Sequence, residues 1–294
     1  MELFFAQLIN GLQLGSIYAL IALGYTMVYG IIKLLNFAHG DVIMVGGYIA
    51  FFMLVTGNNP ILTSIVTIAG CVIIAGLIYK CAYSPLGSNA PRISLLITAI
   101  GVSLLLQNLA QLFFSANMRS FPAESIMPII NYNAGGVNIS LISIVTIGAA
   151  VLSMLGLTFL VQKTKMGKAM RAVSEDKDAA QLMGVNVTRI TLYTFAIGAA
   201  LAGIGAILYS VRFPVLSPTM GLLPGLKAFI AAVFGGIGSI PGAMIGGFAI
   251  GLLEVLVNAV GLSIWADGMV FGILIVVLLV RPTGIMGVSM TEKV

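Results

Sequence analysis

The sequence predicts an all-α, polytopic integral membrane protein of about eight to nine crossings, short and broken helices among them. Three observations carry this. Sixty per cent of the residues are hydrophobic, only 8% are charged, and the mean hydropathy is +1.12. A soluble domain carries about a quarter charged residues, so this chain cannot cover a water-exposed surface. Apolar runs of about 20 residues, the length of a membrane-crossing helix, recur between charges and Pro/Asn/Gly clusters. The basic residues, finally, are concentrated in a few of the intervening loops.

Taken in order, the crossings are expected near 4–30, 39–56, 61–83, 93–115, 139–161, 190–210, 227–239, 240–260 and 264–281. The opening MELFFAQLING has no basic leader and no evident cleavage site, so it reads as part of a retained first span. Between the first two crossings lies LLNFAHGD, with the only histidine, His39, two positions before Asp41. This segment is expected at the cytoplasmic edge. Asn36 or Asp41 would cap the free N–H groups of the next helix, and Gly40 would allow the sharp turn. Asn36, His39, Gly40 and Asp41 then form a helix entrance, or gate. A metal site or a proton relay would need further partners, and a catalytic pair would need a nucleophile or metal cluster. Cys71 and Cys81 fall in or beside one apolar segment and read as two free thiols.

The seventh crossing is short and runs into GGIGSIPG, a helix-breaking stretch. Irregular backbone at membrane depth survives only where it is buried in protein or lines a wet cavity. Gly235, Gly236 and Gly238 therefore read equally as part of a transport path or as small-residue helix packing. Glu254, in the middle of an apolar run, is a functional candidate by default. Asn10, Gln13, Gln107, Asn108, Gln111 and Asn258 are amides that either line a path or join helices by hydrogen bonds.

In this topology Lys33, Lys80, Arg92, Lys163, Lys165, Lys168, Arg171, Lys177, Arg189, Arg281 and Lys293 share one side; Arg119, Arg212 and Lys227 lie on the other. Cytoplasmic loops are enriched in Lys and Arg, which puts the N-terminus outside and the C-terminus inside. The net charge of +5 thus reflects orientation and not a nucleic-acid partner. One crossing between segments 4–115 and 190–281 would invert the second set relative to the first, an inverted repeat within one permease-like domain.

Two loops stand out. The outer one, roughly 116–138, holds Arg119 and Glu124. The inner one, 162–189, begins basic and turns acidic at Glu175, Asp176 and Asp178. Helix formers run from about Ala169 to Met183, Ser174 is a candidate cap, and Gly184 is a stop. Val173, Ala180 and Leu182/Met183 would supply the apolar side. Such a helix either docks a separate motor subunit or lies on acidic lipid. The chain carries no phosphate-cradling G-x-x-x-x-G-K-[ST] run of its own.

Asp178-Ala179-Ala180-x-x-x-Gly184 resembles the EAA-type coupling motif of ABC-importer permeases, with Asp in the usual place of Glu and without the later Ile-x-Leu-Pro element. GLQLGSIYALIALGYTMVYGIIKLLNFAHGD, MGKAMRAVSEDKDAAQLMGVNV, FGGIGSIPGAMIGG and LLVRPTGIMG together resemble the permease of branched-chain amino acid ABC importers, most closely the shorter H-type subunit. The likeness spans nearly the whole chain. Permeases for urea and short amides share much of the pattern. The resemblance implies a half-channel in a bacterial inner membrane that moves leucine, isoleucine or valine inward and carries no cofactor or metal. It implies a second permease of the M type, two cytoplasmic ATPases that bind the ATP, and an extracytoplasmic binding protein. Glu175, Asp178, Ala179, Ala180 and Gly184 would couple to the ATPases. Arg119, Glu124, Arg212 and Lys227 are the charges placed to dock the binding protein. The rival reading, an ion-driven secondary transporter, would need several intramembrane acids; Glu254, Asp41 and Asp267 are the ones on offer.

Overall fold

The computed structural model describes residues 2–87, 90–128, 130–134 and 137–287. The expected Lys293 and the rest of 288–294 lie outside the described residues. Among the described residues, seven helices are long and apolar enough to cross a membrane. In the first half these are α1 (Glu2–Ile32), α3 (Pro60–Ile78, prolonged by a π-turn at Tyr79–Tyr83) and α4 (Arg92–Phe114). They are followed by α6 (Leu141–Lys163), α9 (Val187–Arg212), α11 (Ile240–Ala259) and α12 (Ala266–Val280 with the 3-10 turn before it). Between α4 and α6 come β1 (Arg119–Ser120), α5 (Ala123–Ile126), β2 (Asn131–Ala134) and β3 (Val137–Ser140). Two further apolar helices are shorter, α2 (His39–Val55) and α10 (Leu222–Gly235). All nine expected segments are helical, with bounds within a few residues except for α10, which starts five residues early.

Local sequence explains the ends. Asn59 accepts from the Ile61 N–H ahead of Pro60, the first residue of α3, and Ser140 accepts from Ser143 N–H to open α6. Asn186 opens α9 and Ser239 opens α11 in the same way. Gly236, in the left-handed region at φ +107°, ends α10, and four residues separate it from α11. The GGIGSIPG break is therefore a tight turn between two helices.

The core is α1. It is buried along most of its length by α11, α9, α10 and α6, elements made later in the chain. Glycines set these contacts: a Cβ on Gly15 would meet the Phe248 backbone at 2.7 Å, and one on Gly251 would meet the Gly15 backbone at 2.2 Å. With no apolar effect between helices in lipid, close backbone approach is what holds them together. α3 lies along α9 as α11 lies along α1; α2 touches α9 as α10 touches α1. α4 and α12 are peripheral, the first held by α2 and the π-turn, the second by α10 and α11. At one end of the bundle, Arg119–Ser120 pairs antiparallel with β4 (Val215–Leu216), and β2 pairs with β3. At the other end lie α7 (Lys165–Glu175) and α8 (Lys177–Leu182).

Candidate functional site

The start of α2 lies inside the bundle, not at its edge. The His39 ring sits against Gly24 and meets the Tyr25 ring edge-on at a centroid distance of 4.8 Å. Gly24 is about two turns, roughly 12 Å of helix, before the end of α1 at Ile32. Residues after Lys33 climb back beside α1 before the helix resumes. This corrects the expected placement at the cytoplasmic edge. Gly24 has no side chain, so it leaves a notch that an imidazole fills, and hydropathy cannot register such a notch.

The expected capping is also corrected. Ala38 is the N-cap of α2 and no side chain caps the turn in the usual way. Asn36 Oδ1 instead accepts from the Tyr83 hydroxyl at 2.9 Å. The Tyr25 hydroxyl, from another helix, lies within interaction range of the Gly40 backbone. Asp41 faces α4: its Oδ1 accepts from Gln107 Nε2 at 2.9 Å, and Gln107 Nε2 also donates to the Ser103 hydroxyl at 3.2 Å. His39 Nε2 has no hydrogen-bond partner of good geometry among the described residues, although the Ile21 backbone lies within interaction range of the ring.

The start of α10 meets the start of α2 at this depth. A Cβ on Gly40 would lie 2.6 Å from the Gly221 carbonyl oxygen, and one on Gly225 would lie 2.9 Å from Gly40 Cα. Phe229 meets Tyr25 edge-on and lies tilted against Phe37. Between these ends and α4 is a cavity of about 230 Å3. Asp41, Ser103, Gln107 and Tyr25 line one part of it; Phe37, Ile100, Leu104, Leu222 and Leu226 line the rest. It is small beside ligand pockets of roughly 300–1,000 Å3, and mixes a few polar groups with an apolar wall as such pockets do. Sequence reasoning missed Ser103, Tyr25, Gly221 and Gly225. The i, i+4 spacing of Ser103 and Gln107, which puts both on one helix face, is the signal that was available.

The other expected path residues lie elsewhere. A Cβ on Gly235 would lie 1.9 Å from the Gly242 carbonyl oxygen, and one on Gly236 would lie 2.3 Å from Gly287 N. These are tight backbone crossings with no opening between them; Gly238, close to Gly30, is exposed. Glu254 accepts from Lys227 Nζ at 2.7 Å and from the Tyr18 hydroxyl at 2.9 Å, while Lys227 also reaches Asp267 at 2.7 Å. Lys227 is 6% exposed. It is therefore withdrawn from the set of docking charges and joins α10 to α11 and α12. Gln13 accepts from Ser143 at 3.0 Å, an interhelical bond. Cys71 is buried and Cys81 exposed, both free.

Three charges do sit at the end that carries β1 and β4. Arg119 donates to the Phe114 carbonyl at 2.9 Å and lies over the Phe51 and Phe52 rings. Arg212 lies over Phe213, and Glu124 is exposed.

At the opposite end, the expected single helix is two. Thr164 caps α7 through the Gly167 N–H, and Asp176 caps α8 through the N–H groups of Asp178 and Ala179. Ser174, expected as the cap, donates to the Arg171 carbonyl. An Asp accepts two N–H groups at once, which suits it better to interrupt the helix. α7 turns Met170 and Val173 inward, and Arg171 donates to the Val161 carbonyl. Gly184, at φ +84°, closes α8: Val185 N–H reaches the Ala180 carbonyl at 3.0 Å across it. Ala180 is buried beneath the helix. Asp178, Ala179 and Glu175 are exposed, and Leu182 and Met183 are 89% and 85% exposed. The expected apolar side therefore divides, Val173 and Ala180 inward and Leu182 and Met183 outward.

Residues 7–279 match the family described as the permease component of branched-chain amino acid transport systems. The chain is 43% identical to the high-affinity branched-chain amino acid transport system permease protein BraD of Pseudomonas aeruginosa, over 98% of this chain and 97% of that one. It is 43% identical to LivH of Salmonella typhimurium, a permease protein of the same description, over 99% and 98% of the two chains. It is 32% identical to a probable LivH of Methanocaldococcus jannaschii, over 93% and 90%. With a polytopic helical bundle and a match over nearly its full length, the chain belongs to the family of permease components of branched-chain amino acid ABC transport systems, transport proteins that are not themselves enzymes.

Proposed function

We propose that this permease moves branched-chain amino acids into the cytoplasm as one half of a paired channel, with α8 as the surface on which a separate ATPase docks. The observation that carries this is α8 itself. It is capped at both ends, held from beneath by Ala180, and presents Leu182 and Met183 to solvent with nothing packed on them. Two large apolar side chains standing free beside Asp178 and Glu175 fit a protein groove better than a lipid surface, which would favour a basic face. Lys165, Lys168 and Arg171 are on α7, and the one basic residue of α8, Lys177, is half-buried at its start.

The rest of the assembly follows from the resemblance: a second permease of the M type, two ATPases, and an extracytoplasmic binding protein near Arg119, Glu124 and Arg212. The basic loops orient the chain with its N-terminus outside and its C-terminus in the cytoplasm of a bacterial cell. The exchange of contacts between α1/α9, α2/α10 and α3/α11 supports the reading of 4–115 and 190–281 as inverted halves. Lys227 neutralises one of the two acids it touches, which weakens the ion-driven alternative. A permease for urea or a short amide is the nearer rival.

Reconstitution with and without the ATPase subunits tests the reading. Leucine uptake should require them; uptake that persists without ATPase overturns it. Gly184→Pro or Ala180→Glu should abolish co-purification of the ATPase and leave membrane insertion intact.

A further inference from the structure

We propose that the cavity where α2 and α10 meet is the amino-acid subsite of the translocation path, with Asp41 taking the ammonium, the first turn of α10 taking the carboxylate, and Phe37, Ile100, Leu104 and Leu226 holding the branched side chain. The inference rests on the reading of the chain as a branched-chain amino acid permease.

Asp41 is 2% exposed and, among the described residues, has no cationic partner. The donor that reaches it is the neutral Gln107, which also bonds the Ser103 hydroxyl. A carboxylate at membrane depth is costly unless a cation joins it. The only histidine turns away toward Gly24 and Tyr25. The carboxylate therefore either takes up a proton or meets a cation from outside the chain, and the cavity it lines is open to admit a substrate ammonium.

The two helix ends differ in what they leave unmet. In α2, His39 N–H goes to the Asn36 carbonyl, Asp41 and Val42 N–H go to the Ala38 carbonyl, and the Gly40 backbone has the Tyr25 hydroxyl within interaction range. In α10 no side chain caps the turn. Leu222 N–H goes to the Thr219 carbonyl and Gly225 N–H to the Gly221 carbonyl, Pro224 has no N–H, and Leu223 N–H has no acceptor among the described residues. A helix start carries about half a positive charge, and a start left uncapped inside a bilayer receives an anion. A buried carboxylate and an open helix start on one small cavity, with an apolar wall between α4 and α10, together match a zwitterion bearing a small hydrocarbon side chain. A lone cation would leave the α10 end unused, and a lone anion would face Asp41.

The test uses the complete transporter in proteoliposomes, supplied with L-leucine or L-valine through its binding protein. Asp41→Asn should lower uptake of both at least tenfold while the ATPase still co-purifies and is still stimulated by the loaded binding protein. Leu104→Trp, at a half-exposed position on the cavity wall, should lower leucine uptake at least fivefold more than valine uptake. Asp41→Asn that imports at the unaltered rate overturns the site, as does Leu104→Trp that lowers both substrates equally or neither. If Asp41→Asn fails to assemble, the leucine-to-valine ratio of Leu104→Trp decides alone. Failure of the unaltered complex to import either amino acid overturns the permease reading on which the inference rests, an outcome distinct from failure of the site.

Discussion

The His39 imidazole occupies the place that a side chain at Gly24 would take. A Cβ built on Gly24 lies 2.2 Å from His39 Nε2 and 2.6 Å from Cε1. The pair fixes how deep α2 begins beside α1. Gly24→Ala should therefore destabilise the purified protein by about 1–3 kcal/mol, the usual cost of overpacking a core. His39→Ala should keep part of the uptake. The double variant should be more stable than the sum of the single effects predicts, with a coupling of about 0.5–3 kcal/mol. Thermal unfolding of the four proteins in detergent measures it, and simple additivity would refute the contact.

Gly40→Val should damage uptake far more than His39→Ala. Its side chain would collide with the Gly221 carbonyl and the Gly225 backbone, at 2.6 and 3.2 Å from the first carbon. Neither can yield without moving the start of α10. Initial uptake rates at matched membrane expression decide the order, and a Gly40→Val protein that outperforms His39→Ala is the contrary result.

Lys227→Met should cost about 3–5 kcal/mol, because it leaves Glu254 and Asp267 without their shared cation. Replacing Lys227, Glu254 and Asp267 all by Met should recover most of that loss. Lys227 and Glu254 are largely buried and Asp267 is half-exposed, and charges removed together leave none unpaired. The melting temperatures of the two variants, read side by side, settle whether the cluster is an ion network or two independent contacts.

Leu182→Asp combined with Met183→Asp should leave the melting temperature unchanged within about 0.5 kcal/mol, since both side chains stand in solvent. Co-purification of the ATPase should fall at least tenfold. Retained association would move the docking surface away from α8.

The crossings were legible because each is a run of apolar residues bounded by charge, and that pattern survives any tertiary arrangement. The coupling segment was legible at Gly184, where only a residue at ease with positive φ closes the helix. Its interruption at Asp176 was not, because Ser174, Glu175 and Asp176 are all plausible first-turn residues and the choice depends on which way Val173 faces. The cavity was the least legible part. It joins Asp41 to Gln107 across 66 positions and Gly40 to Gly221 across 181, and no local pattern encodes such pairings. Lys227 was misplaced for the same reason: its two acids lie on helices that follow it in sequence, and only their packing draws it inward.

The burial of α1 bears on how the protein is made. α1 is enclosed by α9, α10 and α11, which are synthesised more than 150 residues after it. Until then Gly11 and Gly15, which meet Leu252 and Phe248 of α11, have only lipid or a biogenesis factor to rest against. A chain truncated after α6 would keep its hydropathy and insert, yet it would present that unfilled face to quality-control proteases. Survival of the protein in the membrane thus depends on α9, α10 and α11 being finished, well before any solute is moved.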